Sequence, residues 1–109
     1  MSDPAIADDP CPKGEPSAPE SLVRVLEIVN KKGLHARASA KFVQTVEQFD
    51  ADVKVTRCGE TVGGDSIMGL MMLSAAPGTH ITVSATGAQA AAALAALAAL
   101  VASRFGEED

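Results

Sequence analysis

The sequence contains no tryptophan, no tyrosine and three phenylalanines among 109 residues. Proteins that bind single-stranded nucleic acid stack the bases on aromatic side chains, so this shortage argues against a nucleic-acid-binding function. Cysteine is also scarce. Cys11 lies in a proline-rich stretch and Cys58 lies beside a glycine, without the spacing of metal ligands. We therefore predict no metal site and expect the two thiols to be reduced.

Long apolar runs are lacking as well. The first residues do not combine a basic start with an apolar segment, which a secretory signal needs. The alanine-rich tract at 88–102 has 15 residues, fewer than the roughly 20 that cross a bilayer. These features predict a cytoplasmic protein that does not enter a membrane.

Charge is unevenly distributed along the chain, whose net charge is −5. Residues 1–20 hold five prolines, five acidic residues and one basic residue, and residues 106–109 hold three acidic residues. Residues 21–105 hold six acidic and eight basic residues. We predict a disordered extension (1–20), one folded domain (21–105) and a solvated acidic tail (106–109). The basic body favours an acidic protein partner.

Apolar periodicity predicts seven elements in the order β-α-β-β-α-β-α. The predicted strands are 22–29, 52–58, 60–62 and 79–86, and the predicted helices are 36–48, 66–73 and a last one that begins at Gly87. In the last strand we expect His80, Thr82 and Ser84 to face solvent. This order predicts an α+β fold with an antiparallel sheet and helices on one face, an architecture that carries many functions.

A glycine-led turn followed by a histidine and a helix is the most informative local feature. Gly33 precedes His35, and Arg37 follows two residues later. Four basic residues and no acidic residue lie between positions 28 and 46. A helix N-terminus offers unpaired N–H groups and partial positive charge to an anion. The pattern favours phosphate chemistry on His35, with Arg37 stabilising the phosphate.

Two segments resemble HPr, the histidine-containing phosphocarrier family of the bacterial phosphotransferase system. GLHAR at 33–37 resembles the family's active-site motif, and DSIMGLMML at 65–73 resembles its regulatory-serine helix. The resemblance covers about residues 23–105, and the spacing of the two segments fits without an insertion. One departure is Ala38, where the family usually has proline. Ser39 follows it, and either caps the helix or is neutral.

The resemblance implies an open-faced sandwich, in which three helices cover one face of a four-stranded antiparallel sheet. It also implies a monomeric phosphocarrier rather than an enzyme. His35 would accept a phosphoryl group through Nδ1 from phosphorylated enzyme I and pass it to a histidine of an enzyme IIA component. No cofactor is implied, since phosphoenolpyruvate and magnesium chemistry belongs to enzyme I. Ser66 resembles the serine modified by HPr kinase/phosphorylase, and it is also a suitable helix N-cap.

A short helix cannot bury apolar residues on all sides against one sheet, so part of the second helix should be exposed. We predict that Leu70 and Leu73 face the core, and that the rest form a partner-docking face. That face consists of Ala36, Ala40, Ile67, Met68 and Met71. Alternative functions are a purely regulatory, nitrogen-type phosphotransfer protein without sugar transport, a ligand-sensing ferredoxin-like domain, or a small phosphohydrolase.

Overall fold

The computed structural model describes residues 22–107. Seven regular elements follow one another, and a short left-handed turn ends the series: β1 (Leu22–Glu27), α1 (Ala36–Val46), β2 (Asp52–Arg57), β3 (Glu60–Gly63), α2 (Ile67–Met72), β4 (His80–Thr86), α3 (Ala90–Ala102) and the C-terminal turn (Arg104–Gly106). The predicted N-terminal extension, Glu108 and Asp109 lie outside the described residues.

The four strands form one antiparallel sheet in the order β1-β4-β2-β3. β4 is one of the two inner strands, and it joins β1 to the rest of the sheet: its Val83 pairs with Arg24 of β1 on one side and with Val55 of β2 on the other. The three helices and this sheet confirm the predicted α+β open-faced sandwich. The left-handed turn after α3 is an addition that the periodicity did not indicate.

The core lies between the sheet and the helices. Alternate strand residues point towards the helices because successive side chains of a strand face opposite sides. Each helix inserts at least one fully buried side chain: Phe42 from α1, Leu70 from α2 and Leu97 from α3. Ala93 is also fully buried, and its small side chain allows α3 to approach the sheet closely. The strands contribute Leu26, Val53, Val55, Ile81, Val83 and Ala85.

Helix α1 ends at Val46, near its predicted end at about residue 48. The N–H groups of Gln48 and Phe49 bond to oxygens three residues before them, so the helical i→i−4 pairing stops there. Two predictions for β4 were wrong. Thr82 was expected to face solvent but is buried. It lies directly opposite Val25 on one neighbouring strand and Thr56 on the other, so their side chains cover it. His80, also expected to be exposed, is half-buried.

The expected reduced state of Cys58 was also wrong, because Cys58 is disulfide-bonded. It occupies the turn between β2 and β3 with a left-handed φ of +54°. Cys11, the other cysteine of the sequence, lies outside the described residues. None of the described helices is long and apolar enough to cross a bilayer.

Candidate functional site

The turn before α1 is fixed by Gly33, which has a left-handed φ of +66°. Its N–H donates to Asn30 O at 3.3 Å, and the next N–H, of Leu34, donates to Ala75 O at 3.0 Å. A Cβ atom at Gly33 would lie 2.4 Å from that same Ala75 oxygen. Glycine is therefore required both for the φ angle and for the close backbone approach that places the next residues.

His35 is the N-cap of α1. Its backbone is extended (φ −77°, ψ −176°), and its ring nitrogen Nδ1 accepts the N–H of Arg37 at 3.2 Å. Serine, threonine, aspartate and asparagine usually perform this role, so an imidazole nitrogen here replaces the customary side-chain oxygen. The ring is thereby held against the helix N-terminus, as the glycine-histidine pattern indicated.

The other ring nitrogen contacts a residue that sequence reasoning missed. Nε2 of His35 lies 2.5 Å from Oε2 of Glu107, which is 72 residues away along the chain. The side chains of His35 and Glu107 are 27% and 14% exposed. The prediction of a solvated acidic end was therefore wrong for Glu107. The sequence contains only a weak indication of this contact. After the alanine-rich helix come Phe105, an apolar residue that can anchor the segment in the core, and Gly106, a residue suited to a tight turn.

The protonation state of the ring follows from its two partners. A backbone N–H can only donate, so Nδ1 of His35 carries the lone pair. The hydrogen bond from His35 lowers the pKa of Glu107 below its usual value. A hydrogen bond from Asn30 and the charge of Lys32 act in the same direction, against the effect of burial. Glu107 is therefore an ionised acceptor, and the Nε2–H tautomer of His35 is the one that satisfies both contacts of the ring.

The C-terminal turn brings Glu107 back to the site. Three consecutive residues, Arg104, Phe105 and Gly106, have φ angles of +61°, +56° and +74°. Left-handed backbone costs about 1–2 kcal/mol for each residue that carries a Cβ atom. The turn is held because the Phe105 side chain is buried and its carbonyl oxygen accepts from Lys41 Nζ at 2.6 Å.

A surface depression of about 620 Å³ lies over the histidine. Four of its eight lining residues are basic and one is acidic, so it suits an anion. The exposed Arg37 shares this depression with His35. Within residues 22–107, no group of three or more His, Cys, Asp or Glu side chains is placed to hold a metal ion. The lining residues are Lys31, Lys32, His35, Ala36, Arg37, Lys41, Gly106 and Glu107.

The first turn of α1 also resolves the question about Ser39. Its side chain is buried, and its Oγ donates to Leu34 O at 3.3 Å, so it ties the helix to the turn that precedes it instead of acting as the N-cap. Ala38, at the position of the family's usual proline, is fully buried in the core. Small side chains at both positions let α1 pack closely over the turn.

The second predicted segment forms α2. Ser66 is its N-cap, and the Ser66 Oγ accepts the N–H of Gly69 at 3.0 Å. Leu70 and Leu73 are buried as expected. Of the remaining predicted docking residues, Ala36 is exposed and Ala40 is half-buried. The exposed fractions on α2 are 39% for Ile67, 70% for Met68, 40% for Met71 and 70% for Met72, which the prediction omitted.

Comparison with known proteins agrees with these observations. A family model described as "PTS HPr component phosphorylation site" matches residues 22–103. Over 86 residues the chain is 54% identical to the phosphocarrier protein HPr of Neisseria meningitidis serogroup A, and the match covers 79% of this chain and 97% of that protein. The HPr of Cupriavidus necator is 49% identical with the same two coverages.

Solved structures give the same result. The crystal structure of HPr-C-His from Thermoanaerobacter tengcongensis superposes with a TM-score of 0.77 at 41% identity, covering 81% of this chain and 99% of that one. An HPr from Bacillus anthracis superposes with a TM-score of 0.71 at 41% identity, covering 74% and 96%.

Proposed function

Because the chain belongs to the HPr family of phosphocarrier proteins of the phosphotransferase system, we propose that it carries the phosphoryl group on His35. In this proposal phosphorylated enzyme I is the donor, and a histidine of an enzyme IIA component is the acceptor. The observation that carries the proposal is the placement of the His35 ring. Its Nδ1 accepts an N–H at the N-terminus of α1, in a depression whose lining includes four basic residues.

The transfer needs no proton to leave His35. Nδ1 attacks the phosphorus while the bond from the donor nitrogen to phosphorus breaks, and the donor keeps that electron pair. The N–H of Arg37, which bonds to Nδ1 before the reaction, becomes available to a phosphoryl oxygen. The exposed Arg37 guanidinium and the ammonium groups of Lys31 and Lys32 line the same depression and offset the charge of the transferred group.

No cofactor is required on this chain. The family resemblance assigns phosphoenolpyruvate and magnesium chemistry to enzyme I, so this protein is a carrier and its partner enzymes supply most of the catalysis. We place the phosphorylation cycle in the cytoplasm. We assign the carrier function to the predicted domain, residues 21–105, together with Glu107, which contacts His35, and treat residues 1–20 as an appendage. A chain that begins at residue 21 should then accept a phosphoryl group as fast as the full chain.

We propose that partners dock on the apolar surface beside the histidine. Ala36 lies at the start of α1, next to His35, and α1 packs against α2, which carries the exposed Ile67, Met68 and Met71. Such solvent-exposed apolar side chains next to a reactive group are typical of a protein-binding site. Ala40 and Met72 extend the surface. A monomer leaves this docking face accessible to enzyme I and enzyme IIA in turn.

Ser66 is the proposed regulatory site. Its side chain is half-buried and caps α2, adjacent to Ile67 and Met68 of the docking face. A phosphate on Ser66 adds about −1.5 to −2 charges at pH 7. The N-terminus of a helix accommodates this negative charge. An acidic partner is repelled by it and has to remove its water on docking, so the phosphate should weaken binding. HPr kinase/phosphorylase is the class of enzyme that would make this modification.

One assay tests the function. The full chain is incubated with enzyme I, magnesium and labelled phosphoenolpyruvate, and the bound phosphate is tested for the acid-labile, alkali-stable behaviour of phosphohistidine. We expect the wild-type chain and His80→Ala to be labelled and His35→Ala to remain unlabelled with an intact fold. Label on His35→Ala would refute the assignment, as would transfer of the phosphate to water faster than to enzyme IIA.

A further inference from the structure

We infer that Glu107 is a positioning residue for phosphoryl transfer: its carboxylate holds the His35 ring with Nδ1 directed at the incoming phosphorus, and it stabilises the positive charge that the ring acquires. The inference rests on the proposed function, because it presupposes that His35 is the acceptor. Glu107 lies beyond residues 22–103, which the family model matches, and outside both motifs that carry the resemblance.

The ring of His35 is held at two of its atoms. Nε2–H donates to Glu107 Oε2 at 2.5 Å, and Nδ1 accepts from the N–H of Arg37 at 3.2 Å. If the hydrogen bond from Arg37 were the ring's single anchor, it would break when Nδ1 attacks phosphorus, and the ring would be free to rotate at that moment. The contact with Glu107 persists through that step, because Nε2 keeps its proton. Glu107 therefore retains the orientation of the ring during the reaction.

Asn30 holds the carboxylate of Glu107 in place. Its side chain is fully buried, and Nδ2 donates to Gly33 O at 2.9 Å and to the two Glu107 carboxylate oxygens at 3.2 and 3.3 Å. Its Oδ1 is buried without a hydrogen-bond partner among the described residues. Reversing the amide would direct Oδ1 at the same three acceptor oxygens, so the observed orientation is the favourable one. The fold leaves one buried acceptor unpaired in order to fix this carboxylate.

The C-terminal turn fixes the backbone that leads to Glu107. Arg104 and Phe105 have left-handed φ angles, a conformation that persists when the surrounding structure enforces it. Two contacts enforce it: the Phe105 side chain is 1% exposed, and the Phe105 carbonyl oxygen accepts from Lys41 Nζ at 2.6 Å. Since Lys41 lies on α1, the helix that His35 caps also anchors the segment that orients His35.

Two electrostatic effects of Glu107 oppose each other. When the bond between Nδ1 and phosphorus forms, the His35 ring keeps its Nε2 proton and becomes positively charged. The carboxylate in contact with Nε2–H stabilises that charge, as the aspartate of a serine-protease triad does for its histidine. The same carboxylate repels the phosphoryl group. That repulsion acts across the ring, at a longer distance than the direct hydrogen bond, and Lys31, Lys32 and Arg37 counter it. The stabilising effect is therefore the larger one.

The test measures phosphorylation of the full chain by enzyme I and phosphoenolpyruvate for the wild type, Glu107→Gln, Glu107→Ala and Glu47→Gln. Glu107→Gln keeps the shape and one acceptor oxygen but removes the charge. Glu107→Ala removes the charge and both acceptor oxygens. Glu47→Gln is the control: it removes one exposed negative charge at the opposite end of α1. We expect kcat to fall about tenfold for Glu107→Gln and further for Glu107→Ala, with KM for the carrier unchanged. The control should match the wild type.

A second measurement reads the ring directly. In ¹⁵N-labelled protein, Nε2 of His35 should be protonated and its proton should exchange slowly with water, because Glu107 holds it. Glu107→Ala should make that exchange fast, while Glu47→Gln should leave it slow. A residue that merely stabilised the fold would lower the melting temperature without this local change.

The possible results separate the two proposals. If His35→Ala is still labelled, the proposed function fails. If His35 is the site but Glu107→Gln reacts as fast as the wild type or faster, the role of Glu107 is refuted and the function stands. A rise in KM without a fall in kcat would also refute it, because Glu107 would then act in docking.

Discussion

Gly33 and Ala75 approach so closely that a Cβ atom on residue 33 would lie 2.4 Å from the Ala75 carbonyl oxygen. This oxygen accepts the N–H of Leu34, so the contact fixes the residue that precedes His35. The position of the reactive ring thus depends on a glycine in the first half of the chain and on a backbone oxygen in the second half.

We predict that Gly33→Ala lowers the free energy of unfolding by about 2–4 kcal/mol and slows phosphorylation, because the left-handed φ is strained and the backbone oxygen must move. Gly78→Ala is the matched control. Gly78 has a φ of +88°, but a Cβ there would meet no atom of the described residues within 4 Å. It should cost about 1–2 kcal/mol and leave the transfer rate unchanged. Denaturant unfolding and the labelling assay measure the two effects; equal losses for both variants would contradict the role of the contact.

Arg37→Ala should slow transfer from enzyme I by an amount equivalent to about 2–4 kcal/mol of transition-state stabilisation. The exposed guanidinium lines the depression beside Nδ1 and packs little against the core, so stability should hardly change. Arg37→Lys should restore part of the rate, because an ammonium group supplies charge without the two-pronged geometry. Single-turnover kinetics provide the measurement, and full activity of Arg37→Ala would exclude a role in phosphate stabilisation.

Met68→Glu should weaken binding to enzyme I and to enzyme IIA together, since it places a charge in the centre of the proposed docking face. Met68 is 70% exposed, so the melting temperature should stay near that of the wild type. Ala95→Glu makes the same charge change at an exposed position of α3, outside the docking face, and should bind normally. Titration calorimetry with each partner gives the affinities. Equal weakening by both variants would point to net charge instead of docking.

Ser66→Asp should slow phosphorylation of His35 by enzyme I while the melting temperature changes little, because a helix N-terminus accommodates the charge. Ser66→Ala should react at the normal rate and lose about 1 kcal/mol of stability, since the hydrogen bond to the N–H of Gly69 is removed. The two variants are compared side by side in the labelling assay. Undiminished rates in both would mean that Ser66 does no more than cap α2.

Glu107 should make the stability of the domain depend on pH. Its pKa is lowered in the folded state from an ordinary value of 4.5, so the unfolded chain takes up this proton at a higher pH than the folded chain does. Its contribution is complete above the ordinary value and is lost as the pH falls through the lowered pKa. The free energy of unfolding of the wild type should therefore exceed that of Glu107→Gln at neutral pH, and the difference should shrink on acidification. A difference that grows on acidification would contradict this assignment.

Much of the fold could be predicted because its signals are local. Each signal lies within a few residues of the element that it predicts. Examples are the alternation in β4, the apolar face of α1 and the serine at the start of α2. Glu107 gave no comparable signal, because its contact with His35 spans 72 residues and depends on left-handed Arg104 and Phe105, which are not glycines. Thr82 is polar, so the pattern of β4 alone predicts that it faces solvent. It is buried by its neighbours on the two adjacent strands, and the sequence of one strand does not show which residues those are.

The strand order β1-β4-β2-β3 has a consequence for synthesis on the ribosome. The neighbour of β1 in the sheet is β4, so residues Leu22–Glu27 have to wait for His80–Thr86 to emerge before they can pair. The hairpin of β2 and β3 can form earlier, because its strands are adjacent in the chain. During elongation the growing chain therefore exposes an apolar strand with unsatisfied backbone groups, the kind of segment that chaperones cover. Glu107 reaches His35 last of all, so a nascent chain acquires its complete histidine environment only after the sheet has closed.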